Sequence, residues 1–454
     1  ALGLLAVSLA PLSWTADSSD PMIKEVTIIG TKEEKQSLPG SGMQIGAAEL
    51  RRHGYSDLNQ IVSSVPGVYV REEDGYGLRP NISIRGVATE RSGRITLLED
   101  NVLIAPAPYS APSAYYFPTA GRMHAVEILK GPAAIKQGPY TIGGAMNMIS
   151  TPIPSVRGGS LKAEAGEDRT YRVHATYGGA HSNGFGFMVE THQWKSDGFQ
   201  NIDRSKKGTG LDVEDYTLKL GYKRDQHTVE LKLQYTKQQS NQSYLGLTDE
   251  NFRDDAFRRY GLSVLDNIKT EHDQQILRYR FDLNDSVSLS ATAYNNEHQR
   301  DWFKTEGIDF DGSASAESFD RTSWANVVAG INENSSLAGF SSRDLQAILA
   351  GADTPVGSIQ LRSNSREYFS RGVQLGLDWQ FSSGDVAHEI EVGIRHHEDE
   401  EDRLQRNSNY HQEDGGLVLD DLGLLGNAGN RVQEAKALAI YIQDTIKLGN
   451  WVLT

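Results

Sequence analysis

Apolar and polar residues alternate with a period of two along the chain from about Gly159 onward. Successive side chains of a strand point to opposite faces, so this pattern predicts strands with one apolar and one polar face. The clearest apolar series start at Tyr216, Val229, Leu277, Val373 and Ile390. Several predicted strands are longer than the five or six residues, roughly, that are usual in soluble sandwiches, and they have the length of tilted membrane-crossing strands. The pattern therefore predicts a transmembrane antiparallel β-barrel.

The connections between the predicted strands differ in length in a regular way. Short turns alternate with long polar segments, the turns at 181–184, 224–226, 284–285, 382–384 and 449–450, the segments at roughly 196–210, 241–269, 302–364 and 405–431. Bacterial β-barrels have this asymmetry, with short turns in the periplasm and long loops outside the cell. We count about ten complete strands and the start of another.

The earlier part of the chain has short helical and strand-like segments separated by Gly- and Pro-rich turns. A helix is predicted at 47–53, and Asp57 is placed to cap a second helix that carries Leu58, Ile61 and Val62 on one face. Short strands are predicted at 68–71, 81–85, 95–99, 126–130 and 145–149. Together these elements predict a small α+β domain at 43–155.

The first residues predict an exported protein. Residues 1–16 form an apolar run that ends in small residues, which is the pattern of part of a secretory signal peptide. A polar tether at 17–42 contains one β-favouring segment, 23–30, which suits capture by a partner strand or an ordinary edge strand equally well. The signal lacks its basic start and Thr454 interrupts a strand-like pattern, so we expect the sequence to be a fragment.

Four motifs of the first domain carry a resemblance to a known family. They are Val65-Pro66-Gly67-Val68, Ile84-Arg85-Gly86, Val126-Glu127-Ile128-Leu129-Lys130-Gly131-Pro132 and Gly143-Gly144-Ala145-Met146-Asn147-Met148-Ile149. In this order and spacing they resemble the plug domain of TonB-dependent outer-membrane receptors. One departure is Lys130, where the family often has Arg.

This resemblance implies a mostly β fold in which a 22-stranded barrel closes around the α+β plug. Residues 156–454 then supply the N-terminal part of the barrel, about half of it. The segment 25–30 resembles a TonB box, the strand that TonB pulls, and its residues are Glu25, Val26, Thr27, Ile28 and Ile29. The implied partners are TonB with the inner-membrane energising complex and outer-membrane lipid, and the implied function is active transport across the bacterial outer membrane.

Composition agrees with this interpretation and excludes several others. There are 45 Lys and Arg against 60 Asp and Glu, a net charge of -15, which argues against a nucleic-acid partner. The chain has no Cys, so it has no thiolate metal site, disulfide or thiol catalysis. A mean hydropathy of -0.48 fits a barrel with a polar lumen, because the strands of such a barrel alternate apolar and polar residues and contain no long apolar run.

Three stretches are most similar to the ferric citrate receptors of this family. They are Ile95-Thr96-Leu97-Leu98-Glu99-Asp100, Ala107-Pro108-Tyr109-Ser110-Ala111-Pro112 and Tyr244-Leu245-Gly246-Leu247-Thr248. The resemblance implies that the second stretch is an apical loop that touches a ferric chelate, although a Gln of those receptors is replaced here by Ala111. Another siderophore, a cobalamin, a saccharide or a different metal complex is the alternative ligand.

The candidates for ligand contact at the plug apex are Arg79, Tyr109, Tyr115 and Tyr116. The Pro-rich run 106–112 cannot be a helix or a central strand, so we expect a rigid loop that displays its side chains. Aromatic rings pack against the organic shell of a chelate, and Arg binds carboxylates through two hydrogen bonds. Alternatively, the tyrosines pack between the plug and the barrel wall.

Other charged residues of the chain are expected to have structural roles. Arg85, Glu127 and Lys130 are expected to form buried ion pairs that seat the plug. The acidic run 396–402 contains His396 and His397, but adjacent residues of a strand point to opposite faces and cannot converge on one ion. A solvated acidic rim is the expected alternative, with no metal site and no cofactor.

Two other classes of function stay open. A passive porin or an adhesin barrel would have no use for a plug-like domain. An exported enzyme such as a barrel lipase needs a nucleophile, a base and an acid, and no catalytic residues, Walker loop or complete GxGxxG fingerprint can be assembled from this sequence. We therefore expect a transporter and no enzyme.

Overall fold

The computed structural model describes residues 22–23, 27–29, 38, 40–54 and 56–454. They form an N-terminal domain, up to about Pro154, and a large antiparallel sheet from Gly158 onward, which we call the hairpin sheet. The boundary agrees with the change of sequence pattern near Gly159.

The N-terminal domain has a mixed sheet covered by short helices. Its elements are β1 (Ser41–Ile45), α1 (Ala47–His53), α2 (Leu58–Val62), β2 (Val68–Arg71), β3 (Asn81–Ile84), β4 (Thr96–Glu99), β5 (Val102–Leu103), β6 (Met123–Lys130) and β7 (Ala145–Ser150). The five-stranded sheet has the order β1-β6-β7-β4-β5. Asp57 caps α2 by accepting a hydrogen bond of 2.8 Å from the backbone N–H of Asn59, as predicted. The strand β1 was not predicted, and it extends the sheet into the last residues of the predicted tether.

The hairpin sheet takes up the rest of the described chain. Its strands and the short strands of its loops are β8 (Gly158–Gly166), β9 (Thr170–Ala180), β10 (Phe185–Ser196), β11 (Asn201–Ile202), β12 (Leu211–Arg224), β13 (His227–Ser240), β14 (Arg258–Arg259), β15 (Asn267–Asn284), β16 (Val287–Ile308), β17 (Thr322–Ser323), β18 (Ile359–Ser383), β19 (Val386–Glu413), β20 (Gly416–Asp421), β21 (Gly429–Leu448) and β22 (Trp451–Leu453).

Neighbouring long strands pair with one another in chain order. In the described part of the chain the continuous path is β8-β9-β10-β12-β13-β15-β16-β18-β19-β21-β22, and every pairing along it is antiparallel. The prediction of about ten strands and the start of another is confirmed. The strands run further than predicted at the loop end, since β16 reaches Ile308 and β18 starts at Ile359. The outward apolar series ends before the strands do, so the sequence pattern weakens there while the pairing continues.

The two faces of the hairpin sheet differ as the period-two pattern predicts. On β21, the outward side chains of Leu438, Ile440 and Ile442 are 67%, 68% and 75% exposed. The opposite face, which we call the inner face, is mostly polar and contacts the N-terminal domain, for example at Asp215 and Lys232. An apolar outer face and a polar inner face are what a barrel in a membrane requires.

The long loops carry three helices, α3 (Asp249–Asp254), α4 (Trp324–Asn332) and α5 (Ser342–Leu349). Apolar side chains of α4 and α5 pack with Tyr260 and with the ends of β16 and β18, so the longest loop is an ordered unit. Arg204 donates to the backbone carbonyls of Ala350 at 2.7 Å and Gly415 at 3.4 Å, and so it joins three loops. Within the described ranges, no helix is long and apolar enough to cross a membrane.

The outer face of β21 gives a direct test of the membrane-facing surface. Ile442 lies six residues before the turn end of a strand that crosses the hydrocarbon in about 9–11 residues, so it is near the middle of the bilayer. We expect Ile442→Arg in the full-length protein to lower the free energy of unfolding from lipid bilayers by about 2–4 kcal/mol, a loss of stability. The control is Gln443→Arg at the next, inward position, and an equal loss from both variants would contradict the assigned faces.

Candidate functional site

The apex of the N-terminal domain, the part nearest the long loops, places Tyr115 beneath three arginines. The guanidinium carbon lies 3.8 Å from the centre of the Tyr115 ring for Arg300, 5.3 Å for Arg91 and 5.8 Å for Arg366. We call these four residues the Tyr115 cluster. Burial alone would raise the pKa of the half-buried Tyr115, but the charges of Arg300 and Arg91 hold that pKa below its usual value.

The three arginines differ in how their charges are compensated. Arg91 pairs with Glu73 at 2.5 Å, and Arg366 pairs with Glu401. Arg300 is buried and donates to the backbone and side-chain oxygens of Asn364. Its Nε and Nη1 atoms have no hydrogen-bond partner, and it forms no ion pair with any described residue. A buried guanidinium with unused donors is costly, so it marks a place where an anion would be stabilised.

The four predicted apical residues lie in different surroundings. Tyr109 and Tyr115 are half-buried, and Tyr109 lies in a tight turn beside His397 of β19, with 5.0 Å between the ring centres. Arg79 is buried against β13 and donates to Gln238 at 2.9 Å, to Ser240 at 3.0 Å and to Gln242 at 3.1 Å.

Tyr116 is buried with its ring stacked on His272, the ring centres 3.5 Å apart. In this conformation Arg79 and Tyr116 therefore fasten the domain to the sheet, the arrangement left open as the alternative for the tyrosines. Tyr109 and Tyr115 are the members of the predicted set that stay partly accessible. A ligand-binding role for all four stays a prediction.

Arg91, Arg300 and Arg366 were not among the predicted site residues. Arg300 and Arg366 lie on the inner face, at positions that follow by extending the period-two pattern of β16 and β18. Arg91 follows from no pattern, because it sits at a positive φ of 47° in an irregular turn held by Asn81, whose side chain accepts from the Arg91 N–H at 2.9 Å.

The predicted TonB box is only partly within the described residues, because Glu25 and Val26 lie outside them. The Ile28 N–H donates to the Glu127 carboxylate at 2.8 Å. Ile28 and Ile29 are buried in an apolar cluster with Leu98 and Leu129. The described part of the segment is therefore docked in the N-terminal domain beside β6.

The three residues predicted to seat the domain lie in different surroundings. Arg85 is exposed and sits at a positive φ of 56°, so the expectation that it is buried is wrong. Lys130 donates to the Pro66 carbonyl at 2.8 Å. The pKa of the Lys130 ammonium is lowered, mainly because the group is partly buried and also because the Arg85 charge is nearby. Glu127 is fully buried and accepts from Asn147 as well as Ile28.

A different set of buried charges joins the N-terminal domain to the sheet. Arg122 donates to Glu99 at 2.7 Å and to Asp215 at 2.9 Å, and Lys232 donates to Glu99 at 2.6 Å and to Asp100 at 2.8 Å. We call these five residues the seating network. Burial would raise the pKa of Glu99, but Arg122 and Lys232 hold that pKa below its usual value.

The acidic run 396–402 is divided between the two faces of β19. His397, Asp399 and Glu401 point inward and are buried, whereas His396 is exposed and Glu398 and Glu400 are half-buried on the outer side. The predicted alternation is confirmed, and the predicted acidic rim is wrong for the three inward residues. Among the described residues, no group of three or more His, Asp or Glu side chains is arranged to hold a metal ion.

Comparison with known proteins finds sequence relatives of this chain. A family model described as "TonB-dependent Receptor Plug Domain" matches residues 34–145. The vitamin B12 transporter BtuB of Vibrio vulnificus is 24% identical over 329 residues, which are 68% of this chain and 49% of that protein. The ferric enterobactin receptor of Pseudomonas aeruginosa is 27% identical over 152 residues, which are 30% of this chain and 19% of that protein.

Solved structures share the fold of the whole chain. The ferric citrate transporter FecA in its unliganded form superposes with a TM-score of 0.72 at 19% identity, covering 95% of this chain and 58% of that one. The open form of the ferric-catecholate import receptor Fiu from E. coli K12 gives a TM-score of 0.62 at 14% identity, covering 91% and 58%. The chain spans about half the length of the curated relative that it matches over most of its length. Its hairpin sheet matches about half of a receptor barrel.

The seating network predicts a large loss of stability when one partner is removed. In the full-length protein, Arg122→Met leaves Glu99 and Asp215 as buried carboxylates without this cation, so we expect the free energy of unfolding of the N-terminal domain to fall by about 3–5 kcal/mol. Urea titration followed by limited proteolysis measures this loss. Lys195→Met is the control, because the Lys195–Asp212 pair is exposed and is worth about 1 kcal/mol at most. A loss from Arg122→Met as small as that of the control would contradict the network.

Proposed function

Because the chain contains the plug domain of TonB-dependent receptors in an outer-membrane receptor fold, we propose that it serves the active uptake of an anionic ferric chelate. Proteins of this family are transporters of the bacterial outer membrane and are not enzymes. The N-terminal domain described above is the plug, the hairpin sheet is the barrel wall, and the long loops face the outside of the cell.

The observation that carries the proposed ligand class is the unpaired charge of Arg300. Arg91 and Arg366 each have a carboxylate partner, while Arg300 keeps two buried donors unused beside the Tyr115 ring. The surroundings of Tyr115 therefore carry an excess of positive charge in a chain whose net charge is -15. Carboxylates and other oxyanions of a chelate would satisfy these donors through charge-assisted hydrogen bonds.

The aromatic residues at the apex suit the organic part of such a ligand. Tyr109 and Tyr115 are partly accessible, and Tyr244 of a barrel loop packs on Trp302 with ring centres 4.5 Å apart. A ferric citrate complex combines carboxylates with a compact organic shell, and the fold likeness to a ferric citrate transporter supports that assignment. Ala111 lacks the amide donor of the resembled receptors, so another anionic siderophore is also consistent with this site.

A cobalamin is the second candidate, because the vitamin B12 transporter BtuB is similar to 68% of this chain. The excess of arginine charge favours an anionic ligand over a cobalamin, whose large ring system would need a wide apolar surface. A neutral saccharide would bring no anionic group to pair with the guanidinium of Arg300.

The docked segment Thr27–Ile29 supports a role for TonB in the transport step. The Ile28 N–H of this segment is held by Glu127, and the side chains of Ile28 and Ile29 are covered by the plug. A partner that captures this segment by strand pairing would withdraw it from the plug and transmit a pulling force. The energy for uptake then comes from TonB and the inner-membrane complex that drives it.

Binding titrations test the ligand class. For the full-length receptor we expect ferric dicitrate to bind more tightly than an uncharged ferric hydroxamate and more tightly than the iron-free control. We expect Arg300→Gln to weaken binding of the anionic chelate about tenfold to a hundredfold, since each lost hydrogen bond to a charged group is worth about 1.5–3 kcal/mol.

The matched control is Arg371→Gln, an exposed arginine on the outer face of β18 that pairs with Glu398. It removes the same charge from the outer face of the sheet, which the ligand does not contact, and should leave binding unchanged. Binding of cyanocobalamin but of no iron chelate would reject the proposed ligand and favour the second candidate.

A substitution in the box tests the coupling to TonB. We expect Thr27→Pro to abolish uptake of the bound chelate while surface binding stays normal, because proline cannot donate to a pairing strand and restricts the residue before it. Gln36→Pro is the control within the same tether and outside the box. Uptake by the Thr27→Pro receptor at the rate of this control would show that the box lies elsewhere.

A further inference from the structure

The apical turn of the plug is held by one carboxylate of the barrel wall. Within the turn, the Ala111 N–H donates to the Ala107 carbonyl at 2.9 Å. At its tip, the N–H groups of Tyr109 and Ser110 donate to the two oxygens of Asp399, at 2.6 Å and 3.0 Å. Two successive N–H groups that point at one carboxylate form a small anion-binding concavity, so the turn and the carboxylate fix each other's orientation.

Asp399 is itself oriented by a second pair of side chains. The His397 Nε2 atom lies 3.1 Å from an Asp399 oxygen, and the other ring nitrogen of His397 lies 2.7 Å from the Tyr294 hydroxyl. All three side chains are buried, with 1% of Asp399 and none of His397 exposed. A buried carboxylate needs such partners, and hydrogen bonds in a connected chain strengthen one another.

A glycine makes room for this chain of hydrogen bonds. Tyr294 of β16, Gly372 of β18 and His397 of β19 lie in one row across three paired strands. A Cβ atom at Gly372 would lie 2.5 Å from the Tyr294 hydroxyl oxygen. The phenol therefore crosses the middle strand only because Gly372 has no side chain there.

We propose that Asp399 is a positioning residue for ligand binding, which holds the turn 107–111 against the barrel wall so that Tyr109 is presented to the ligand. The proposal rests on the proposed function for its ligand, but the anchoring of the turn is independent of any ligand. Among the described residues, His397 is the one side chain that bonds to Asp399, and the turn supplies the two other hydrogen bonds to this buried carboxyl group. If the turn leaves the wall, Asp399 loses two hydrogen bonds at once.

Cysteine labelling tests the anchor without a ligand, since the chain has no cysteine of its own. In the full-length receptor carrying Ala111→Cys, we expect Asp399→Asn to raise the maleimide labelling rate about tenfold or more, because the two hydrogen bonds lose their charged acceptor. Tyr294→Phe, which removes one hydroxyl, should act in the same direction with a smaller change. Glu400→Gln, on the outer side of the same strand, should leave the rate unchanged.

A binding experiment with ferric dicitrate then tests the positioning role. We expect Asp399→Asn to weaken binding in the parent receptor, and to have little further effect once Tyr109→Ala has removed the side chain that Asp399 positions. A purely structural role would instead weaken binding by the same factor in both backgrounds and would overturn the proposal.

The outcomes separate this proposal from the proposed function. Unchanged labelling in both Asp399→Asn and Tyr294→Phe overturns the anchor, whatever the receptor binds. Faster labelling together with normal binding of ferric dicitrate overturns the positioning role. If no chelate binds even to the parent receptor, the proposed function fails, and the labelling rates alone decide whether Asp399 holds the turn.

Discussion

The plug and the barrel wall depend on each other through buried opposite charges. Arg122 and Glu99 pair within the plug, whereas Asp215 and Lys232 of the sheet pair with Arg122, Glu99 and Asp100 only when the plug is seated. Separation of the plug from the sheet would break these three cross-domain ion pairs together and leave charges without buried partners.

Much of the fold could be predicted from the sequence because membrane strands repeat one simple rule. Series such as those from Tyr216 and Val373 fix which face is apolar, and the turn lengths fix which end carries the loops. The site was less predictable. Arg300 and Arg366 lie beyond the apolar series, where alternation no longer separates an apolar face from a polar one, and Arg91 depends on an irregular turn. Arg85 was predicted to be buried and is exposed, because a motif shared with a family does not tell whether a side chain faces the core or the solvent.

The distribution of charge around Tyr115 differs from that of the chain as a whole. The chain is strongly acidic overall, yet the region around Tyr115 collects arginines whose carboxylate partners are too few to neutralise them all. A net charge describes long-range attraction, whereas recognition depends on the few donors left without partners in a buried place. Strand β19 also separates charges that are close in sequence. Its acidic run places Asp399 on the inner face against the turn 107–111, and Glu398 and Glu400 on the outer side.

The burial of Ile28 and Ile29 makes it costly in free energy to detach their segment from the N-terminal domain. Exposing two buried isoleucines costs about 1.5–3 kcal/mol for each side chain, or about 3–6 kcal/mol in total. Detaching the segment would also break the hydrogen bond from the Ile28 N–H to Glu127. Under the proposed role of this segment, a partner that supplies less free energy than this would leave Ile28 and Ile29 docked in the N-terminal domain.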